Sequence, residues 1–219
     1  MKPKKIVILG CGGTGTDILD LLDDINETKQ TYSCIGFLDD DASQWEKEIC
    51  GVPVLGPLKK APDLAGVSFL NGLGSPSNHW KTEQIISEIG IQANQFEKIV
   101  HPKSKVSKKS VLGFGVIVYP YVFIGSNVKV GNLTTLLANT TINHDSVLNE
   151  FTIVCSNVSV SGAVKIGKSC YLGAGSSIRQ NVTVGERSLL GIGSVVLKDV
   201  KPNSIVKGNP AEFLRENCR

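Results

Sequence analysis

Aliphatic side chains return at every sixth residue through the second half of this chain. The series begins at Val100, Val106 and Leu112 and ends at Val184, Leu190 and Val196, seventeen positions in one register without a miss. Four places after each stands a small or β-branched residue, from Ser104 and Ser110 through Thr134 and Thr140 to Ser194 and Val200. A period of six fits neither a lone helix, at about 3.6 residues per turn, nor a plain strand, at about two. On an extended segment the small residue and the next aliphatic point to the same face, and a turn must then intervene. Glycine often follows the aliphatic directly (Gly113, Gly125, Gly131, Gly167, Gly173, Gly185, Gly191), where a corner can use a backbone without Cβ. Three hexads close a triangular coil, seventeen make between five and six coils, and the pattern predicts a parallel β-helix.

The first hundred residues carry a different pattern. Ile6-Val7-Ile8-Leu9 reads as a buried strand and runs into Gly10-Cys11-Gly12-Gly13-Thr14-Gly15. An amphipathic stretch from Thr16 to Leu22 follows, then a second strand, Cys34 to Leu38, ending in Asp39-Asp40-Asp41. Further strands are expected around Val52 to Leu55 and Val67 to Leu70, and a helix from about His79 to Ile89. Strand, glycine turn, helix and strand make an α/β, Rossmann-like opening, and the space allows only a half-sized doubly wound unit. The expected division is residues 1–97 for this domain and 98–219 for the β-helix, with the boundary near Gln95 to Ile99.

Gly10, Gly12 and Gly15 match G-x-G-x-x-G, and an acidic residue ends the next strand. Bare amides at a helix N-terminus suit phosphate. That fits NAD and the diphosphate of a nucleotide-sugar equally, and Asp39 and Asp40 can accept ribose hydroxyls or a base N–H in either case. An NAD-dependent oxidoreductase would rest on these glycines alone, without the second half of a dinucleotide domain. A tight strand–helix turn with no ligand is the plainest alternative.

Composition narrows the class a little further. The 219 residues carry a net charge of +3 with both signs mixed, which gives no nucleic-acid footprint. Six cysteines (Cys11, Cys34, Cys50, Cys155, Cys170, Cys218) show no metal-type or disulfide-framework spacing, so no metal and a reducing compartment are expected. The apolar run after Met1-Lys2-Pro3-Lys4-Lys5 is too short for a signal-peptide core or a membrane span, and a cytoplasmic protein without membrane insertion is expected.

One segment breaks the monotony of the repeat: Ile142-Asn143-His144-Asp145-Ser146. Of three histidines, His101 precedes Pro102 at the entry to the repeat and reads as structural. His79 begins a helix beside Trp80, where a surface or capping role is expected. His144 stands beyond the inward aliphatic of its hexad and so emerges at the coil surface. An imidazole is the natural base for a proton lost in acyl transfer. Neighbouring residues on a strand face opposite ways, so Asp145 can orient His144 only where a corner bends the chain or another chain intervenes. Cys155 and Cys170 read as packing.

With these segments, Gly36-Phe37-Leu38-Asp39-Asp40-Asp41, Val100-His101-Pro102 and the tail Val206-Lys207-Gly208-Asn209-Pro210-Ala211 complete a pattern spanning nearly the full length. It resembles the hexapeptide-repeat acetyltransferases that join a small nucleotide-binding domain to a left-handed β-helix. These are the sialic-acid O-acetyltransferases and the nucleotide-amino-sugar N-acetyltransferases of bacillosamine and perosamine synthesis. The resemblance implies His144 as general base with Asp145 in support, and a homotrimer with acetyl-CoA sites between neighbouring β-helices. It also implies a nucleotide-linked amino sugar resting on Gly10, Gly12, Gly13, Thr14, Gly15, Asp39 and Asp40. Thr14 stands where some members have histidine, and Asp145 where some have Glu. Gly162, eighteen residues after His144, is expected one coil above it as an oxyanion donor. Gly173 and Gly191 are expected further along the same edge as a track for the pantetheine arm, with Gly208, Asn209, Pro210 and Ala211 closing over the adenine end. The acceptor expected is UDP-2-acetamido-4-amino-2,4,6-trideoxyglucose. Sialic-acid-type O-acetylation and a non-catalytic sugar-nucleotide-binding scaffold are the competing functions.

Overall fold

The computed structural model describes residues 2–217, so Cys218 lies outside the described residues. The chain divides into two compact units. One comprises the residues up to Leu73 with Gln84–Glu97; the other comprises Gly74–Glu83 with the residues from Lys98 on.

The first unit is built on three parallel strands. Strand β1 (Lys4–Leu9) lies between β2 (Tyr32–Leu38) and β5 (Ser68–Asn71), and the hairpin β3 (Glu48–Ile49) and β4 (Val52–Pro53) follows β2. Ile6, Val7, Ile8 and Leu9 are wholly buried, as the unbroken apolar run requires of a central strand covered on both faces. Helix α1 (Gly13–Thr28) buries Ile18, Leu19, Leu21, Leu22 and Ile25, the spacing of a single apolar stripe. This is half of a doubly wound sheet.

The second unit is a parallel β-helix of about six coils. Its two-residue strands stack into faces of six, five and six strands, the last extended to eight by Ser204–Lys207 and the antiparallel Glu212–Glu216, and the ladders within the coils join residues eighteen apart. Thr141–Ile142, for example, pairs with Phe123–Ile124 below and Ser159–Val160 above. Three hexads therefore make one coil, and each aliphatic sits on the aliphatic of the coil beneath. From Val118 to Val196 the series is buried; at the open first coil Val106 and Leu112 are half-buried and Val100 is exposed, Ile99 being buried in its place.

Two details of the hexad depart from the sequence reading. The corner is turned by the third residue after the aliphatic, which adopts left-handed φ: Tyr121, Asn127, Leu133, Asn139, Asp145 and Phe151 lie between 56° and 62°. Asparagine and aspartate tolerate that region best among residues with a Cβ, and they recur there. The glycine directly after the aliphatic has no left-handed φ. It is needed because the next coil passes close by: a Cβ on Gly125 would stand 2.9 Å from the amide nitrogen of His144, and one on Gly131 would stand 2.6 Å from that of Glu150. Coil spacing, not the corner, selects glycine here.

In several hexads a repeated hydrogen bond accommodates a hydroxyl at the small interior position, although Ser176 and Ser194 Oγ are buried there without a partner. Thr140 Oγ1 donates to the Cys155 carbonyl at 2.9 Å and Ser146 Oγ to the Ser161 carbonyl at 3.0 Å, each fifteen residues on. Thr134 and Thr152 follow the same rule. A buried hydroxyl without a partner costs about 1–3 kcal/mol. With its partner, Thr becomes interchangeable with the isosteric Val found in the other hexads.

His79 is a correction. It is not at the surface but fully buried, on the β-helix unit. Its Nδ1 lies 2.8 Å from the Ser169 carbonyl, and Asn217 Nδ2 meets its Nε2 at 3.0 Å while also reaching the Arg187 carbonyl. An acceptor at Nδ1 and a donor at Nε2 fix the neutral ring with its proton on Nδ1. Burial pushes its pKa down from 6.5 to about 4. Below pH 6.5 the unfolded chain takes a proton that the folded chain refuses, so stability is full above pH 6.5 and declines as pH falls towards 4. The expected loss is on the order of 3 kcal/mol. Urea midpoints of the wild type should fall between pH 7 and pH 4.5, and this fall should shrink in His79→Asn. A flat wild-type profile would exclude the effect.

Candidate functional site

Two sets of residues carry unusual chemistry, one in each unit. In the first unit the glycine turn joins β1 to α1. Gly10 has φ +91°, and a Cβ on Gly15 would lie 2.1 Å from the Gly10 carbonyl oxygen, so both glycines serve the turn itself. Gly12 and Gly13 differ: a Cβ on either would meet nothing within 4 Å. Gly12 is the N-cap of α1 and supplies no side-chain cap, while Thr14 is half-buried in the first turn. A sixteen-residue helix thus begins without a side-chain cap, its first amides lacking intrahelical partners and open space lying beside Gly12 and Gly13, an arrangement suited to an anion.

Asp39, directly after β2, holds this turn in place. Asp39 Oδ2 accepts from the Cys11 amide and Oδ1 from the Asp41 amide, both at 2.9 Å. Asp40 Oδ1 accepts from the Leu58 amide at 2.9 Å, and its carboxylate is otherwise exposed. Burial and the adjacent Asp39 carboxylate push the Cys11 thiol up to about 11, which keeps it protonated.

In the second unit, His144 and Asp145 are the two turn residues between strands Thr141–Ile142 and Val147–Leu148. The left-handed φ of 60° at Asp145 is what lets sequence neighbours meet. His144 Nδ1 lies 2.8 Å from Asp145 Oδ2, and the two side chains remain 68% and 53% exposed. Asn127, eighteen residues earlier, donates from Nδ2 to Asp145 Oδ1 at 3.1 Å. The His144 and Asn127 hydrogen bonds hold the Asp145 carboxyl below its ordinary range. A carboxylate at Nδ1 fixes the tautomer and leaves the Nε2 lone pair outward. Asn127 is a residue that sequence reasoning missed, although counting one coil down from Asp145 leads to it.

Gly162 lies directly over the ring. A Cβ there would stand 2.7 Å from both Cε1 and Nε2 of His144. Above it on the same edge a concavity of about 620 Å³ is lined by Ser161, Arg179, Gln180, Asn181, Lys198 and Asp199. Gly173 and Gly191 stack on each other, as expected, but on a different edge. They follow strands of the eight-stranded face, whereas His144 and Gly162 follow strands of the six-stranded face. The expectation of a single edge fails because 162 and 173 differ by eleven, which is not a whole coil. The tail returns to that second edge: Lys207 Cβ lies 2.9 Å from where a Cβ on Gly191 would be, and Val195 N donates to the Gly208 carbonyl. Ala211 N donates to the Val195 carbonyl, which closes the turn holding Asn209 and Pro210 onto the last coil. Among the described residues, no group of His, Cys, Asp and Glu is arranged to hold a metal, and no helix is long and apolar enough to cross a membrane.

Comparison with known proteins agrees with both halves. The PglD N-terminal domain model matches residues 5–100, and the GMPPB C-terminal domain model matches residues 95–195. A GDP-perosamine N-acetyltransferase of Escherichia coli O157:H7 is 27% identical over 80% of this chain and 78% of its own. The chain is thus similar in both halves to the hexapeptide-repeat acetyltransferases. Within that family, PerB of Caulobacter crescentus, solved with CoA and GDP-perosamine, superposes with a TM-score of 0.81 at 24% identity, covering 96% of this chain and 97% of its own. The acetyltransferase domain of PglB from Neisseria gonorrhoeae, solved with acetyl coenzyme A, gives 0.81 at 24% identity over 97% of this chain and all of its own. These likenesses establish the left-handed β-helix fold. Other curated relatives match over a shorter stretch: mitochondrial serine acetyltransferase 3 of Arabidopsis thaliana is 34% identical over 46% of this chain, and the match spans 27% of its own length.

The seat of the imidazole yields a direct test. Gly162 has no left-handed φ, so Gly162→Ala is compatible with the backbone, and the nearest atoms it strikes belong to the His144 ring. The variant should fold with an unchanged circular dichroism spectrum and melting temperature. Its ring should swing away, seen as a changed His144 Hε1 chemical shift in proton NMR.

Proposed function

We propose that the protein is an acetyl-CoA-dependent N-acetyltransferase acting on the amino group of a nucleotide-linked 4-amino-deoxy sugar. The observation that carries this reading is the His144 imidazole, held by Asp145 at Nδ1 and left with an outward Nε2. As the sugar nitrogen attacks the thioester carbonyl, His144 Nε2 takes the amine proton. The C–S bond then breaks, and CoA leaves as the thiolate, which the imidazolium reprotonates. The Gly162 backbone N–H is the donor proposed for the oxyanion. Arg179 and Lys198, at the concavity along the same edge, suit the phosphates of CoA. The nucleotide diphosphate is assigned to the open amides at Gly12, Gly13 and Thr14.

A homotrimer is part of the proposal. In a single chain the edge bearing His144 and the edge bearing Gly173, Gly191 and Gly208–Ala211 are distinct, and a site between neighbouring β-helices lets both serve one acetyl-CoA. The acceptor favoured is UDP-2-acetamido-4-amino-2,4,6-trideoxyglucose; the perosamine N-acetyltransferase relative supports the broader class of nucleotide-linked 4-amino sugars.

Thiol release from acetyl-CoA, measured with that sugar, GDP-perosamine, dTDP-linked 4-amino-4,6-dideoxy sugars and free sialic acid as acceptors, tests the reading. Turnover is expected on a nucleotide-linked amine; turnover on sialic acid alone would move the function to O-acetylation. His144→Ala should lose more than about a hundredfold in kcat while still binding acetyl-CoA. For the nucleotide, Gly12→Ala should fold normally yet raise the KM of the sugar about tenfold or more, with the KM of acetyl-CoA unchanged. Equal effects on both substrates would refute the assignment of the turn.

A further inference from the structure

We propose that Asn127 is a positioning residue for the His144–Asp145 pair, acting from one coil below through the second oxygen of the carboxylate. The proposal rests on the reading of His144 as the base. Asp145 is more than half exposed, and its short side chain is free to rotate in water unless both oxygens are engaged. Oδ2 meets His144 Nδ1 at 2.8 Å; Oδ1 takes the amide of Asn127 at 3.1 Å. Removing either contact frees the carboxylate to turn about its Cα–Cβ bond.

The backbone makes this reach dependable. Asn127 and Asp145 occupy the same left-handed corner position in successive coils, with φ of 59° and 60°. The coils are joined there by the Asp145 amide, which donates to the Ser126 carbonyl at 2.9 Å. Both side chains therefore leave the solenoid from stacked, equivalent points. The same position one coil above is Ala163, which offers no polar group from that side. The chemistry of the amide also matters. As a neutral donor it orients the carboxylate without drawing it away from the imidazole, as a lysine would, and without repelling it, as a second carboxylate would.

Two substitutions separate this role from a merely structural one. Asn127→Gly deletes the amide and keeps the left-handed backbone. Asn127→Asp keeps shape and backbone but replaces the donor with a like charge facing Asp145. Kinetics would be followed by thiol release from acetyl-CoA, with GDP-perosamine and the UDP-linked 4-amino sugar as acceptors. Asn127→Gly should lower kcat about threefold to tenfold with both KM values unchanged, and Asn127→Asp should lower it further. Melting temperatures of both should stay close to wild type. Wild-type kcat in both variants, an Asp variant better than the Gly variant, or losses confined to KM would each overturn the proposal. His144→Ala run alongside distinguishes the two levels. If it is inactive while the Asn127 variants behave as wild type, only the positioning role falls; if it is active, the base assignment falls and the positioning role with it.

Discussion

Everything in the larger unit follows from one constraint: the backbone of each coil must hydrogen-bond to the coil eighteen residues away. Two-residue strands are too short to hold a sheet by side-chain packing alone, so the coils keep one length of eighteen residues until the last, where Leu189 pairs with Ile205. Fixing the length fixes what stacks. Aliphatic lies on aliphatic along the interior, hydroxyl meets carbonyl fifteen residues on, and glycine stands wherever the next coil passes too near for a Cβ. The polar corner residues are aligned by the same rule. His144 sits beneath Gly162 and Asp145 above Asn127 because each pair is one coil apart.

That constraint also decides what the sequence made legible. The sixfold aliphatic period led directly to the three-hexad coil, and the position of His144 beyond its aliphatic led to its exposure on the surface. The seat of His144 under Gly162 was arithmetic, and Asn127 could have been reached by the same step taken downwards. Gly173 and Gly191 were misplaced for want of that step. The role of the glycines was misread because a pattern along the chain cannot separate a left-handed φ from a close approach by another coil. His79 was hidden for a different reason. Its partners Ser169, Arg187 and Asn217 lie far along the sequence and come to it only in the folded unit.

In the smaller unit the motif was read correctly as strand, turn and helix, while its aspartates had more to do than the motif suggests. Both oxygens of Asp39 are spent on backbone amides, one of them in the turn, so the carboxylate shapes the turn before it meets any ligand. Beside the helix start, open space lies at Gly12 and Gly13, where the first amides have no intrahelical partner. The two units thus divide their polar chemistry by kind. The smaller offers fixed backbone dipoles, which suit a charge already present; the larger offers an imidazole, which suits a proton in transit.

The left-handed corner has a consequence for how such a protein can change. That slot favours asparagine, aspartate and glycine without demanding them, since Tyr121, Leu133 and Phe151 also fill it, and Asn127, Asn139, Asn157 and Asn181 occupy it alongside Asp145. An acidic neighbour for a corner imidazole therefore costs the backbone nothing. Each of those asparagines is one nucleotide change from aspartate, a reserve of dormant carboxylates distributed over the scaffold. Exchanging asparagine for aspartate beside a corner imidazole leaves the left-handed backbone as it is, so the chemistry of a corner can change while the course of the coil does not.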